Sequence, residues 1–209
     1  MSELYIGLMS GTSLDGIDAG LVEFDGEQTR LVAFEYTPFS DAIKREIQSL
    51  SQANSPILLQ NYGTVDTQLG SLFATACKNL LNNAGQSSSS VTAIGSHGQT
   101  IYHAPEKPSA FSLQIGDPNI IAEETGITTI ADFRRRDIAA GGQGAPLVPA
   151  FHQAIFSQQF DLSKQNITIV NIGGIANITY LSASKTIGFD TGPGNTLMDF
   201  WVQKNLHRA

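Results

Sequence analysis

The stretch LYIGLMSGTSLDGIDAGLVEF, residues 4–24, decides the fold. Leu4 to Leu8 is typical of a buried strand, a polar glycine-rich turn follows, and Ile17 to Phe24 is a second apolar stretch. Arg30 to Pro38 has the pattern of a third strand, so three consecutive strands precede any helix. The sequence therefore predicts a sheet that begins with a β-meander.

The chain beyond this meander alternates helices and strands, which indicates an α/β fold. Ser40 or Asp41 begins a short helix that runs to about Ser51, and Ser55-Pro56 begins a long helix that ends at Gly85. Further strands are predicted at 91–95, 111–115 and 127–131, and further helices at 118–125 and 146–156.

The opening pattern occurs a second time near the end of the chain. Ile167 to Ile172, the pair Gly173-Gly174 and Ile175 to Leu181 repeat the order strand, glycine turn, strand. A predicted helix at 196–206 follows. The repetition suggests two lobes with related architecture.

The repeat sets the predicted domain organisation. We expect an N-terminal lobe at residues 1–165 and the beginning of a second lobe at residues 166–209. The second segment is too short to close a lobe like the first. We therefore expect the sequence to be cut short.

Composition excludes several classes of protein. Nineteen acidic against twelve basic residues give a net charge of −7, which argues against a protein that wraps nucleic acid. A single cysteine, Cys77, excludes a disulfide scaffold and a cysteine-based zinc site. No basic leader and no apolar run of membrane-spanning length occur, so we expect a soluble, cytoplasmic protein.

The residue types in the loop at 10–18 are compatible with two structures, a phosphate-binding loop and an ordinary hairpin turn. Glycines let a phosphate approach backbone N–H groups, Thr12 and Ser13 add hydroxyl donors, and Asp15 or Asp18 could hold Mg²⁺ through water. An ordinary hairpin turn fits as well, because Asp-Gly is a common hairpin signal. The sequence matches neither a Walker loop nor a Rossmann fingerprint.

The segments at 96–100 and 132–146 are also read as loops that could contact a ligand. His97 follows a strand and could donate a hydrogen bond or transfer a proton, although a lone histidine at a strand end is more often structural. Of the three consecutive arginines 134–136, we expect one to face a site and the others to pair or face solvent.

Asp190 lies between an apolar strand and the glycine-rich segment 191–195. A carboxylate at a strand tip, with glycines that let a substrate come close, is suited to act as a general base. The alternative is that Asp190 caps the following helix. Spacing leaves both interpretations open.

Six segments together resemble one family, the anhydro-N-acetylmuramic acid kinases of the sugar kinase, actin and heat-shock ATPase superfamily. They occur in the family's order at residues 7–18, 94–100, 131–137, 139–149, 171–177 and 188–195. The resemblance implies an actin/ribonuclease-H-like lobe with a mixed sheet and flanking helices, plus the start of a second similar lobe.

The resemblance also implies an activity: ATP-dependent opening of 1,6-anhydro-N-acetylmuramic acid to N-acetylmuramic acid 6-phosphate, with Mg²⁺, in peptidoglycan recycling. In this reading Asp190 is the general base, and His97 and Arg136 contact the sugar. The implied ATP phosphate loop consists of Gly11, Thr12, Ser13, Leu14, Asp15, Gly16, Ile17 and Asp18. The implied second phosphate hairpin consists of Asn171, Gly173, Gly174 and Asn177.

Family members are about twice as long as a single lobe and are usually dimers. We therefore expect a homodimer, and little or no kinase activity from these 209 residues alone. The alternative function is a muramyl-sugar-binding module without catalysis.

Overall fold

The computed structural model describes residues 2–26, 28–52, 56–106 and 108–206. The described residues form two compact units, one up to Ala139 and one from Ala140 onward. The predicted lobe boundary at residue 165 stays a prediction about the family architecture. The compact units of this chain divide earlier, because the helix at Val148–Gln159 packs against the strands that follow it.

The first unit is built on a six-stranded mixed sheet. Three antiparallel strands form the predicted meander: β1 (Glu3–Ser10), β2 (Gly16–Phe24) and β3 (Thr29–Pro38). On the other side of β1 the order continues with β4 (Val91–Ala104), parallel to β1, and β5 (Phe111–Ile115), antiparallel to β4. A short strand, β6 (Thr129–Ile130), runs parallel to β4. The α/β class and the predicted mixed sheet with flanking helices are confirmed.

Four helices belong to the first unit: α1 (Asp41–Ser51), α2 (Leu59–Ala84), α3 (Pro118–Thr125) and α4 (Phe133–Ala139). The Ser40 hydroxyl accepts a hydrogen bond from the backbone N–H of Ile43, as the predicted cap of α1 requires. Gly85 ends α2 in the left-handed conformation that glycine adopts without a Cβ clash.

The predicted start of α2 is wrong. The helix begins at Leu59, whose preceding residue Leu58 makes no side-chain capping bond. Pro56 lies before it in chain without regular secondary structure, and the predicted cap, Ser55, falls outside the described residues. The apolar periodicity of the helix was correct, because Val65, Leu69, Phe73 and Leu80 are buried against the sheet.

The core of the first unit lies between the sheet and helices α1 and α2. Alternate residues of β1 and β2, such as Ile6, Ile17 and Leu21, point into it and meet Phe73 of α2. Burial of each such side chain stabilises the fold by roughly 1.5–3 kcal/mol before the cost of ordering it.

The second unit has a three-stranded antiparallel sheet, β7 (Ile167–Ile172), β8 (Ile175–Leu181) and β9 (Thr186–Pro193), in that order. Helix α5 (Val148–Gln159) precedes the sheet and α6 (Thr196–Leu206) follows it. The order of three strands and a helix repeats β1–β2–β3–α1, as the sequence repeat predicted. Gly188 lets α5 lie close to β9, because a Cβ there would overlap Pro149.

Four local expectations are corrected. His97 lies inside strand β4, because the strand continues past residue 95 to Ala104 and only Gly98 adopts a positive φ. The polar segment after β6 contains a helix, α4, and Asp190 lies within β9, which continues to Pro193, instead of at the tip of a strand. Helix α5 begins at Val148, two residues after the predicted Pro146.

Among the described residues, no helix is long and apolar enough to cross a membrane.

Candidate functional site

Three of the sequence motifs in the first unit lie near the carboxyl end of β1 or of β6. The glycine loop begins at the end of β1, residues 96–100 lie in β4, where Ser96 and Gln99 pair with Leu8 and Ser10 of β1, and Asp132 follows β6. In α/β folds ligands bind beyond the carboxyl ends of parallel strands. The Ser10 hydroxyl donates a hydrogen bond of 2.6 Å to Oε1 of Gln99, which ties the first motif to the second.

The glycine loop itself is a turn between β1 and β2. The backbone N–H of Leu14 donates to the carbonyl of Gly11 at 3.2 Å, and Leu14 has a φ of 58°. A positive φ is unfavourable for leucine, and such strain concentrates at ligand sites. The other non-glycine residue with positive φ among the described residues is Asp132, at 61°, in the third motif.

The members of the predicted phosphate loop differ in their exposure, and Gly11 and Leu14 are half-buried. Side chains exposed to solvent belong to Thr12, Ser13, Asp15 and Asp18. Gly16 and Ile17 are buried in β2, and Gly16 is required there because a Cβ would lie 2.8 Å from Cα of Pro38. Any ligand of this segment therefore meets its first half and the carboxylate of Asp18.

Asp18 is the carboxylate of this loop with a displaced pKa. Partial burial raises its pKa, and the negative charge of Asp15 raises it further. Two carboxylates that repel each other beside a strained turn fit a cation held through water and phosphate oxygens. The described residues hold no group of three or more His, Cys, Asp or Glu placed to bind a metal ion by themselves.

His97 uses both ring nitrogens within the first unit. Nδ1 lies 2.7 Å from the carbonyl of Gly98, and Nε2 accepts a hydrogen bond of 2.8 Å from Nε of Arg134. Burial, together with the charge of Arg134, lowers the pKa of His97 to about 4. The imidazole is therefore neutral at pH 7, with its proton on Nδ1.

The side chains of the three arginines point in different directions, because consecutive residues of a helix lie on different faces. Arg134 is half-buried and bound to His97, whereas Arg135 is exposed, lies 3.6 Å from Asp132 (Nη1 to Oδ2) and lines a cavity. The side chain of Arg136 is exposed. The structure therefore brings Arg134 and Arg135, the neighbours of the predicted residue, to the other motifs.

The cavity has a volume of about 140 Å³ and lies wholly in the first unit. Its polar lining includes Ser96, His97 and Arg135 of the predicted segments and three residues that the sequence analysis missed, Tyr62, Asp66 and Gln114. The sequence contained one indication of this role for Asp66: it follows Val65, a residue of the apolar face of α2, so its carboxylate lies next to the buried side of the helix. Its Oδ1 accepts a hydrogen bond of 2.7 Å from the backbone N–H of Gly116.

In the second unit the remaining predicted residues lie in one row across the sheet. Asn171 of β7 pairs with Asn177 of β8, and Asn177 pairs with Asp190 of β9. Residues paired in this way lie about 4.5–5.5 Å apart at Cβ, so the amide of Asn177 neighbours the carboxylate of Asp190, and Asn171 lies one strand farther away.

The glycine turn between β7 and β8 is held by the start of α6. The backbone N–H groups of Gly194 and Asn195 donate to the carbonyls of Gly174 and Gly173, both at 2.8 Å. The Thr196 hydroxyl donates to the same Gly174 carbonyl at 2.7 Å. A Cβ on Gly194 would overlap the carbonyl oxygen of Gly173, so glycine is required there. The second hairpin and the Asp190 segment therefore form one assembly.

Comparison with known proteins agrees with this set of motifs. The model of the anhydro-N-acetylmuramic acid kinase family matches residues 3–209. Anhydro-N-acetylmuramic acid kinase of Shewanella amazonensis is 53% identical over 99% of this chain and 55% of its own length. The enzymes of the same name from Vibrio vulnificus strain YJ016 and Photobacterium profundum are 50% and 52% identical, over 99% and 97% of this chain and 55% and 53% of theirs.

The chain spans about half the length of the curated relatives it matches. A solved PPX-GPPA enzyme of Aquifex aeolicus matches at 7% identity, over 96% of this chain and 56% of that chain, with a TM-score of 0.44, and adds nothing to the assignment. The match to the family model covers nearly the whole chain. The chain therefore belongs to the anhydro-N-acetylmuramic acid kinase family.

Proposed function

We propose that this chain provides the N-terminal part of an ATP-dependent kinase. The enzyme opens 1,6-anhydro-N-acetylmuramic acid by hydrolysis and phosphorylates O6 to form N-acetylmuramic acid 6-phosphate. The observation that carries the proposal is the family match over residues 3–209. The activity belongs to a protein of the relatives' length, of which this chain corresponds to about half.

Asp190 is the proposed general base. Its carboxylate takes a proton from the water whose oxygen attacks the anomeric carbon, and the bond from that carbon to O6 breaks. The released O6 takes the γ-phosphoryl group of ATP, and ADP leaves. The row formed with Asn171 and Asn177 supports this role, because the amide of Asn177, on the neighbouring strand, can orient the carboxylate and the water.

The phosphates of ATP are proposed to lie against the first half of the glycine loop. Backbone N–H groups of the turn and the hydroxyls of Thr12 and Ser13 are donors for phosphate oxygens. The carboxylates of Asp15 and Asp18 would repel a bare triphosphate, so they fit Mg²⁺-ATP, in which the ion neutralises the phosphate charge.

The sugar is proposed to contact the region of His97 and Arg136. Since both ring nitrogens of His97 are engaged, its proposed contribution is to orient Arg134, whose guanidinium carries the charge. A cation at this position suits an anionic substrate in a chain of net charge −7. Homodimer formation and a cytoplasmic location stay part of the proposal.

Turnover and binding together test the proposal. ADP release is measured with the anhydro sugar and Mg²⁺-ATP, and the product is identified by mass, with the Shewanella amazonensis relative as positive control. Calorimetry measures the binding of each ligand to this chain. We expect binding of both ligands, and we expect Asp190→Asn to reduce any turnover by about 10²–10⁴-fold.

Asp199→Asn is the matched control, because Asp199 is an exposed carboxylate on α6, outside the Asn171–Asn177–Asp190 row. Turnover that is unchanged in Asp190→Asn contradicts the role of that residue. Absence of binding to both ligands contradicts the proposed function as a whole. Sugar binding without any Mg²⁺-ATP signal favours the sugar-binding module.

A further inference from the structure

One face of the sheet in the second unit is apolar and exposed. Val170 of β7, Ile178 of β8 and Phe189 of β9 pair in one row across the sheet, so their side chains share a face. Val170 is 60% and Phe189 is 49% exposed. Helix α5 packs on the opposite face, where Nδ1 of His152 lies 2.9 Å from Oγ1 of Thr179 in the neighbouring row.

Helix α6 exposes large apolar side chains on more than one side. Leu197, Phe200 and Trp201, spaced three and four residues apart, share one side, and they are between 61% and 67% exposed. Met198 and Leu206 are exposed on other sides. A surface helix has a single apolar stripe, so a helix with apolar side chains on several sides needs further neighbours. Exposed apolar surface of this extent marks an interaction site.

The first unit shows which elements cover the corresponding surface there. The repeat places β7, β8, β9 and α6 in the positions of β1, β2, β3 and α1. In the first unit β4 pairs in parallel with the edge of β1 that faces away from β2, and α2 joins α1 in covering the apolar face. In the described part of the second unit, β7 is an edge strand, and no element corresponds to α2 or to β4.

The repeat therefore specifies what fits this surface: an amphipathic helix like α2, followed by an apolar strand like β4 that adds to the edge of β7 in parallel. The longer relatives contain polypeptide that could supply both, because the match to this chain accounts for 55% of the Shewanella amazonensis enzyme. A second copy of this chain fits less well. A twofold axis would pair two β7 strands antiparallel, unlike β1 and β4.

We propose that β7 and α6 form a docking surface for a separate polypeptide, of the kind that makes up the C-terminal part of the longer relatives, and that the two chains associate without a covalent link. A strand of the partner pairs with the edge of β7, and its helix covers Val170, Phe200 and Trp201. The inference rests on the family match and on the repeat, not on the proposed reaction, so its test measures binding and is independent of turnover.

The first experiment uses Trp201, the single tryptophan of the chain, as the reporter. The chain is labelled with 5-fluorotryptophan and titrated with the part of the Shewanella amazonensis enzyme that lies beyond the matched stretch. We expect the ¹⁹F resonance to shift saturably and to lose its sensitivity to the exchange of H₂O for D₂O, because the ring becomes buried. A resonance that stays unchanged and solvent-sensitive overturns the proposal.

Substitutions on α6 test whether the helix forms the surface. Leu197→Ala and Phe200→Ala should each weaken the binding measured in this titration by about tenfold or more. Phe151→Ala is the matched control, because Phe151 is 51% exposed but lies on α5, the helix on the other face of the sheet. We expect the control to bind like the wild type. Equal affinities in all three variants contradict the assignment of α6.

Hydrogen exchange distinguishes strand addition from apolar contact alone. The backbone amides of β7 that point away from β8 should exchange at least about tenfold more slowly in the complex, because each gains a hydrogen bond to the added strand. Protection that is confined to α6 contradicts strand addition at β7.

Two further measurements address a second copy and an unfolded partner. The label on Trp201 should stay solvent-exposed in the unmixed chain at every concentration, whatever its oligomeric state, and burial of the label without the partner overturns the proposal. If the partner polypeptide does not fold by itself, the label is observed in one chain that joins both parts, with Trp201→Phe to assign its resonance. A solvent-exposed label in the joined chain also overturns the proposal.

Discussion

The two units contain the same succession of elements, three antiparallel strands and a helix, yet they bury very different amounts of apolar surface. In the first unit, alternate residues of β1 and β2 are covered by α1 and α2. In the second unit, Gly144, Thr179 and Leu181 are the buried residues among those described, and Val170 and Ile172 of β7 are 60% and 63% exposed. A shared hydrophobic pattern thus produces shared strands, but burial depends on which helices pack against them.

The largest expected difference between the units concerns large apolar side chains. Phe73→Ala leaves a cavity in the core of the first unit and should lower the free energy of unfolding by about 3–5 kcal/mol. Phe200→Ala on α6, where the side chain is 61% exposed, should change it by less than about 0.5 kcal/mol. Urea unfolding followed by circular dichroism measures both. Similar losses in the two variants would contradict the contrast in burial.

The two histidines extend the comparison to electrostatics. The pKa of His97 is lowered to about 4 by burial and by Arg134, whereas the smaller downward shift of the His152 pKa comes from burial alone. Proton NMR titration of the ring signals should therefore show His97 neutral to a lower pH than His152. A normal pKa for His97 would contradict its bond with Arg134.

The His97 shift also predicts a pH dependence of stability. His97 has a pKa near 6.5 in the unfolded chain and about 4 in the folded chain, so between these pH values only the unfolded chain binds the proton. The free energy of unfolding therefore decreases as the pH falls from about 6.5 to about 4. The loss approaches about 3 kcal/mol below pH 4. His97→Gln should remove this part of the dependence, and His152→Gln should remove less. Parallel unfolding curves for the wild type and His97→Gln over this pH range would contradict the prediction.

The smallest expected effects concern glycines, again one in each unit. In Gly188→Ala the new Cβ would overlap Pro149 and push α5 away from β9, at a cost of about 1–3 kcal/mol. In Gly63→Ala the Cβ enters open space within α2, so the variant should gain about 0.5–1 kcal/mol. Thermal unfolding should show a lower midpoint temperature for Gly188→Ala and a higher one for Gly63→Ala than for the wild type. A neutral Gly188→Ala would show that α5 does not pack closely on the sheet.

The sequence predicted strands and helices best where short-range chemistry decides them. The meander, the apolar face of α2 and the caps at Ser40 and Gly85 follow from periodicity and capping preferences. Prediction failed at the boundary before Leu59, because no side-chain bond caps the helix there. It also failed at residues 96–100, where polar residues suggest a loop but pairing first with β1 and then with β5 continues the strand.

For the candidate site, the sequence located segments better than individual side chains. It singled out one residue of the arginine triplet, whereas the helical turn of α4 brings Arg134 to His97 and Arg135 to the cavity. Asp66 and Gln114 were missed because they lie far from the motifs along the chain and approach them only through the packing of α2 and the pairing of β5 with β4.

The amino-acid sequence by itself determined the family, the order of strands and turns, and the segments that carry the polar chemistry, because these depend on local pattern and on motif identity. Only the tertiary structure decided that His97 is neutral and engaged at both nitrogens, that Ser96 and Gln114 share one cavity, and that the two units differ in burial. Those properties depend on desolvation and on contacts between residues distant in the chain, which a one-dimensional pattern does not contain.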